Sequence, residues 1–479
     1  VSKSVPVLRP QSESPDRTAS FSDRRADIAA IFKLAWPVLI GQLAVIAFGV
    51  IDTAMVGRYS AESLAALGLG ASIYISIFIA LTGILIALSP IAGSLYGANR
   101  IAEIGEQTRQ AIWLALALCI VGTVLLAFPG PLLDVAHAGA DLRADATHYL
   151  RILAVGLPGA LLFRIFNSLS TAIGKPRIVM TLQIIALAVK IPANYALIFG
   201  FAGIPPMGGI GCALASTLIN VIDAVAAIWI MSRGSAFKPL AIFAHWSWPQ
   251  WPHQRALLKL GVPMGVSYLI EVTSYTFMAL FIARFGTSTL AAHQIAGNLG
   301  AVLYMTPLSI GIGTATLVAQ RIGANALVDA RRISSSGILF ASVVAIVYAG
   351  IVLLLREPIA SAYTTNGQVA STAAGLLLIV AAYHVFDAFQ VSTACVLRSY
   401  QVTMIPTAIY AIALWGVGLG GGYWMGFDIG GHLPTMWTGA KGFWIANTIS
   451  LGVAAAGLGW YRRHVVRRFK GSTEKTASV

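Results

Sequence analysis

Residues 34–57 read LAWPVLIGQLAVIAFGVIDTAMVG, an apolar run bracketed by Lys33 and Arg58 and holding one charge, Asp52. At a rise of about 1.5 Å per residue such a run reaches about 36 Å as a helix, enough to cross a hydrocarbon core of ~30 Å. Its counterpart begins 226 residues later: residues 260–283 read LGVPMGVSYLIEVTSYTFMALFIA between Lys259 and Arg284. Pro37 falls on Pro263 and Arg58 on Arg284. The same shift, without a gap, places Leu64, Ala65 and Ala66 on Leu290, Ala291 and Ala292, and Gly97, Ala98 and Asn99 on Gly323, Ala324 and Asn325. These matches cluster at helix ends and loops, where drift in apolar composition does not produce them, so the chain reads as a duplication.

Working outward, ten further stretches are long and apolar enough to span: near 70–96, 109–130, 149–171, 178–200, 208–232, 294–320, 333–355, 370–396, 404–426 and 440–461. With 34–57 and 257–284 they make twelve, six per repeat. An even number gives both halves the same orientation, a transporter arrangement whose substrate path lies between the repeats. Composition agrees. Hydrophobic residues are 57% of the 479 and charged residues 10%, against about 25% charged in a soluble domain. That excludes a cytosolic enzyme, a disordered chain and a disulfide scaffold. The expected fold class is an all-α membrane protein with twelve helices in two parallel six-helix repeats.

The net charge of +14 does not call for nucleic acid. Most Lys and Arg lie in the tails and in the loops on the N-terminal side of the spans, among them Arg24, Arg25, Arg100, Lys175, Arg233, Arg331 and the cluster Arg462, Arg463, Arg467, Arg468. This positive-inside bias predicts a multi-pass membrane protein with both termini cytoplasmic. The expected organisation is a disordered tail at 1–30, an N-lobe at 31–232, an inter-lobe loop at 233–256, a C-lobe at 257–461 and a basic tail at 462–479. Cys119, Cys212 and Cys395 stand singly, without metal-ligand spacing. No Walker loop, zinc motif or Ser/His/Asp set is visible, so no catalytic residue is expected. The expected surroundings are the lipid bilayer and small organic substrates, and the protein is expected to be a monomer.

Charges inside spans mark functional sites or pairs. Arg164 lies eleven residues from Lys175 and Asp223 ten from Arg233, at similar depth, which predicts a structural Arg164–Asp223 pair. Lys190 and Asp52 are expected to interact through the reach of the lysine. Glu271 is twelve residues from Lys259 and Asp387 eleven from Arg398, so both sit about 17 Å from the cytoplasmic face. No base is expected within the spans of that half. Two uncompensated carboxylates at one depth share a proton or hold a cation. Tyr275 follows Glu271 by four residues and Tyr383 precedes Asp387 by four, placing each on the same helix face as its acid. His384 and His293 read as core or packing histidines.

The stretches LAWPVLIGQLAVIAFGVIDTAMVGRYS (34–60), ALSPIAGSLYGANR (87–100), GKPRIVM (174–180), IPANYALIFG (191–200) with MGGIGCALAS (207–216), and AAHQIAGN (291–298) resemble the MATE multidrug exporters, in their NorM-like branch. The resemblance implies two six-helix lobes in a V around a central cavity, and efflux of cationic or zwitterionic drugs and dyes against inward Na⁺ or H⁺, with Na⁺ favoured. No cofactor beyond that coupling ion is implied. It carries Glu271 and Asp387 over as cation-site acids and candidate Na⁺ ligands, Asp52 as the N-lobe acid, Asn194 as its neighbour and Tyr383 as a residue near the site. Lys190 departs from the pattern, where the branch has Asn. A fixed positive charge there competes with any other cation, so Asp52 is expected to be a charge-balanced switch. The alternatives are a lipid-linked oligosaccharide flippase of the same superfamily, which would show more spans and a strongly cationic cavity, and, more remotely, a membrane-embedded enzyme, which would need a convergent catalytic set.

Overall fold

A computed structural model of the chain describes residues 21–135, 139–201, 203, 205–245, 247–434 and 437–477. Among these residues twelve helices are long and apolar enough to cross a membrane. They are α1 (Phe21–Tyr59), α2 (Ala61–Gly97), α3 (Ile101–Ala127), α4 (Ala140–Ala172), α5 (Pro176–Phe199), α6 (Gly208–Arg233), α7 (Trp251–Ala283), α8 (Thr287–Gly323), α9 (Leu327–Tyr363), α10 (Gly367–Ser399), α11 (Met404–Gly426) and α12 (Gly439–Ala477). α2 is interrupted at Ile86–Ala87, where Pro90 has no N–H to offer the Ile86 carbonyl. α11 widens into π-helical turns over Ala411–Gly420.

The duplication is carried into the backbone. α2 and α8 begin and end 226 residues apart, and α3 and α9 start 226 apart. Asn99 and Asn325, just after α2 and α8, both have φ of 58°, a left-handed conformation that Asn tolerates better than most residues.

Two devices lock the lobes together at the end where the termini lie. In the first, the lobes exchange helix starts. Ile31 and Ala35 of α1 sit in the C-lobe core with Val318, Ala330 and Ile333. Leu257, Leu260 and Met264 of α7 sit in the N-lobe core with Leu85, Leu88 and Phe166. The second is a reciprocal glycine seam. A Cβ on Gly97 would stand 1.8 Å from the Gln320 carbonyl oxygen, and one on Gly323 1.8 Å from that of Ser94. Since 97 maps to 323 and 94 to 320, the two contacts are one contact repeated about a pseudo-twofold axis.

The expectation of a disordered tail is revised, and the inter-lobe loop and the basic tail gain structural detail. Residues 1–20 of the expected tail lie outside the described residues, but 21–30 are helical. Asp27 there is buried and accepts from Arg332 Nε at 3.0 Å and Nη2 at 3.3 Å; that cross-lobe ion pair draws α1 onto α9 and extends the helix beyond its apolar run. The loop at 233–256 is a packed strap: Phe237 and Leu240 are buried in the N-lobe core, and Arg109 Nη1 of α3 donates to the Ala241 and Ile242 carbonyls at 3.0 Å. Residues 462–477 continue α12.

The seam makes a direct prediction. Gly97→Ala and Gly323→Ala should each lower the thermal melting point in detergent, by the on-the-order-of 1–3 kcal/mol typical of overpacking. Gly49→Ala on α1, where an added Cβ meets nothing within 4 Å, is the control. Equal melting points for all three would contradict the seam.

Candidate functional site

Beyond the seam a cavity of about 590 Å³ opens between the lobes, with both supplying its walls. Helix periodicity explains the lining. α7 brings Tyr268, Glu271 and Tyr275 at successive turns, and α10 brings Tyr383, Asp387 and Gln390. α8 adds Tyr304, whose hydroxyl is directed at Glu271. Asp387 is 4% exposed and its Oδ1 accepts from Gln390 Nε2 at 2.9 Å. The Tyr410 hydroxyl in turn donates to Gln390 Oε1. Glu271 and Asp387 are near enough for their charges to repel. The Tyr275 ring stacks on His293 at 5.2 Å, with its hydroxyl against Gly297. Tyr383 meets Trp444 edge-on at 5.5 Å. This wall presents carboxylate, phenol and amide oxygens, a donor set that suits a hard monovalent cation or a shared proton.

A second polar cluster lies within the N-lobe, among α1, α5 and α6, and does not line the cavity. Lys190 Nζ donates to Asp52 Oδ2 at 2.8 Å and to Ser216 Oγ at 2.9 Å. Asn194 Nδ2 donates to Asp52 Oδ1 at 2.7 Å. The ammonium also sits 5.1 Å from the centre of the Phe48 ring. Lys190 is 4% exposed, so it remains inside the lobe rather than snorkelling to an interface.

Two expectations fail. Arg164 and Asp223 form no ion pair among the described residues. Their depths do correspond: Gly156 and Gly159 of α4 pack on Thr217 and Asn220 of α6, which brings Asp223 close to the level of Arg164. Their directions differ, because Arg164 faces the cavity while Asp223 is buried in α6. The C-lobe is also not free of bases. Arg398, counted as a loop residue, lies inside α10 and lines the cavity. Its Nη1 donates to the Tyr268 hydroxyl at 2.7 Å, with the guanidinium 4.8 Å from that ring's centre. His384 stacks on Tyr348 at 6.2 Å, away from the cavity. Residues not singled out along the sequence are Tyr304, Gln390 and the neighbours Asn167, Ser168 and Thr171 that form a polar stripe with Arg164. The stripe was detectable, since its spacing of three, four and seven residues marks one helix face.

Two lobes of parallel repeats around a largely apolar cavity that carries a few charged side chains, sealed at one end, define the architecture of a membrane transporter. The MatE family profile matches residues 37–196 and again 263–424, once per lobe. The chain belongs to the MatE family. It is 38% identical over 469 residues to the "Probable multidrug resistance protein NorM" of Aromatoleum aromaticum, covering 97% of this chain and 98% of that one. It is 34% identical over 446 residues to the multidrug resistance protein PmpM of Pseudomonas aeruginosa, covering 93% of each. In fold it is similar to the eukaryotic MATE transporter AtDTX14, with a TM-score of 0.83 at 18% identity over 94% of this chain and 99% of that one. It is also similar to the Vibrio cholerae MATE transporter VcmN in its bent form, with a TM-score of 0.80 at 19% identity over 94% and 99% of the two chains.

The N-lobe pair can be tested by stability. Asp52→Asn leaves a buried ammonium without its counter-charge, a loss of about 3–5 kcal/mol for one-sided removal of a buried pair. Its melting point in detergent should fall, and Lys190→Met in the same chain should recover most of the loss. An unchanged melting point for Asp52→Asn alone would mean that the contact does not hold the lobe.

Proposed function

We propose that this protein is a secondary multidrug exporter of the bacterial inner membrane, expelling cationic and zwitterionic organic compounds in exchange for inward Na⁺ or H⁺. The observation that carries the reading is the pair Glu271 and Asp387 on one wall of the inter-lobe cavity, facing phenolic and amide oxygens. Repulsion between the two carboxylates is relieved by a proton or by a cation bound between them. Either ion therefore competes with a substrate cation for the same wall, which is the condition for exchange. The names of the relatives in Aromatoleum and Pseudomonas, as multidrug resistance proteins, support the substrate class. The donor set accepts either ion, and the family resemblance favours Na⁺ as the driver. One chain supplies every wall of the cavity, so a monomer suffices. The two carboxylates offset the guanidiniums of Arg164 and Arg398 in the lining, so the cavity is not strongly cationic, which disfavours a flippase.

With the termini cytoplasmic, as the charge bias indicates, the seam closes the cytoplasmic side and the cavity faces outward. Alternating access then requires the Gly97–Gly323 seam and the Asp27–Arg332 pair to part. Lys190 supplies Asp52 with a tethered cation, so the N-lobe acid responds to rearrangement of that pair and is not a second Na⁺ site.

Efflux of ethidium from proteoliposomes under an imposed gradient tests the proposal. Glu271→Gln and Asp387→Asn should each reduce gradient-driven efflux at least tenfold, about 1.4 kcal/mol, with the protein still monodisperse. Near-wild-type efflux by either variant would refute the coupling role. Efflux driven by a pH step in Na⁺-free medium would assign H⁺ in place of Na⁺. Lys190→Asn should alter the dependence of efflux on Na⁺ and pH, and an unchanged profile would remove the N-lobe pair from the mechanism.

A further inference from the structure

The inter-lobe cavity holds charges of both signs: both of its acids, Glu271 and Asp387, lie on the C-lobe wall together with Arg398. Arg164 is the one charged residue lining the N-lobe wall among the described residues, on α4 beside Asn167, Ser168 and Thr171. No acid stands on that face of α4. Other well-placed arginines are engaged: Arg109 by Glu106 and two carbonyls, Arg332 by Asp27, and Arg398 by Tyr268. Arg164 differs from them. Its Nε is buried without a hydrogen-bond partner, and no ion pair involves it among the described residues. Arg398 is near enough to repel it. An uncompensated guanidinium within a bilayer span is costly, and a like charge nearby adds to the cost.

The fold itself does not require that charge. Under the 226-residue shift Arg164 corresponds to Gln390, a neutral amide whose Nε2 serves Asp387 from the same position on α10. The duplication therefore tolerates a neutral side chain at this point of the helix, and Arg164 is an addition to one copy. A guanidinium with free donors, aimed into a cavity of drug size, matches a carboxylate through two parallel N–H···O bonds.

We infer that Arg164 is the anion subsite of the transport cavity, taking the carboxylate of a zwitterionic substrate whose cationic end faces Glu271 and Asp387. The inference deepens the exporter reading and rests on it: it assigns substrate preference to a particular side chain and divides the cavity into an anion-binding N-lobe wall and a cation-binding C-lobe wall. Because the two walls belong to different lobes, a zwitterion bridges them and a plain cation engages only one.

The test uses rhodamine B, which carries a free carboxylate, and its ethyl ester, which is a cation on the same ring system. Binding to the purified full-length protein in detergent is followed by fluorescence anisotropy, with no ion gradient. Wild type should bind the acid about tenfold or more tightly than the ester, the scale of a charge-assisted bidentate contact. In Arg164→Gln the ratio of the two Kd values should fall toward one, and Arg164→Lys, a point charge without the fork, should retain part of it. Equal wild-type affinities would overturn the inference. So would a ratio left intact by Arg164→Gln, or a loss of both dyes in equal proportion, which would mean that Arg164 balances the C-lobe acids electrostatically. If Arg164→Gln does not fold, the wild-type ratio and Arg164→Lys decide. Failure of wild type to move either dye in proteoliposomes under a Na⁺ or pH gradient would count against the exporter reading, while the gradient-free binding ratio would still judge the subsite.

Discussion

Hydrocarbon does not solvate charge, and this chain places several charges within its helices, so each must be answered by the fold. The answers differ in kind. Lys190 and Asp52 answer each other directly, with Asn194 and Ser216 completing the shell. Arg398 is held by a phenol, through its hydroxyl and its ring face. Asp387 has one amide bond from Gln390, and Glu271 faces the Tyr304 hydroxyl. Arg164 has no protein partner for its buried Nε. The charges within the N-lobe cluster are thus internally satisfied, while those lining the cavity are left in part for a ligand or an ion. That division separates an internally paired cluster from the cavity lining without reference to any relative.

The second constraint is the closure of the lobes. Each lobe core is completed by the start of the other lobe's first helix, and the ends of α2 and α8 meet through small residues whose replacement by a larger one would collide with backbone. Backbone contact of this kind is a two-position device: it packs tightly or it separates, since an intermediate gap forfeits much of the dispersion energy. The Asp27–Arg332 pair lies at the same end. A seam made of backbone carbonyls and one partly exposed ion pair suits an interface that must open and close repeatedly.

The duplication is kept in the backbone and abandoned in the chemistry. Asp52 corresponds to Met278, Glu271 to Val45, Asp387 to Leu161 and Arg164 to Gln390. No cavity acid is duplicated. Two lobes of one shape therefore meet across a cavity with different charges on its two walls, and the subsite inferred for Arg164 rests on this asymmetry.

Much of this was legible along the chain. Span number, the repeat and its register, and the depth of each buried charge follow from hydropathy, spacing and the 1.5 Å rise of a helix, all of which are distances along one axis. The pairing of Lys190 with Asp52 was also within reach, because a long flexible side chain tolerates error in direction. What the sequence could not supply was azimuth. Arg164 and Asp223 do lie at related depths, yet one faces the cavity and the other does not, because the face a residue presents depends on which helices surround its own. Arg398 was placed outside the membrane for a related reason: a charge near a helix end reads as the boundary, and only the packing of α7 and α8 around α10 shows that the helix continues and turns that charge inward. The helical stretch over residues 21–30 follows the same rule, since Asp27 finds its counter-charge 305 residues away on α9. Local spacing determined how deep each group lies; tertiary packing alone decided which groups face one another, because that contact joins helices distant in the chain.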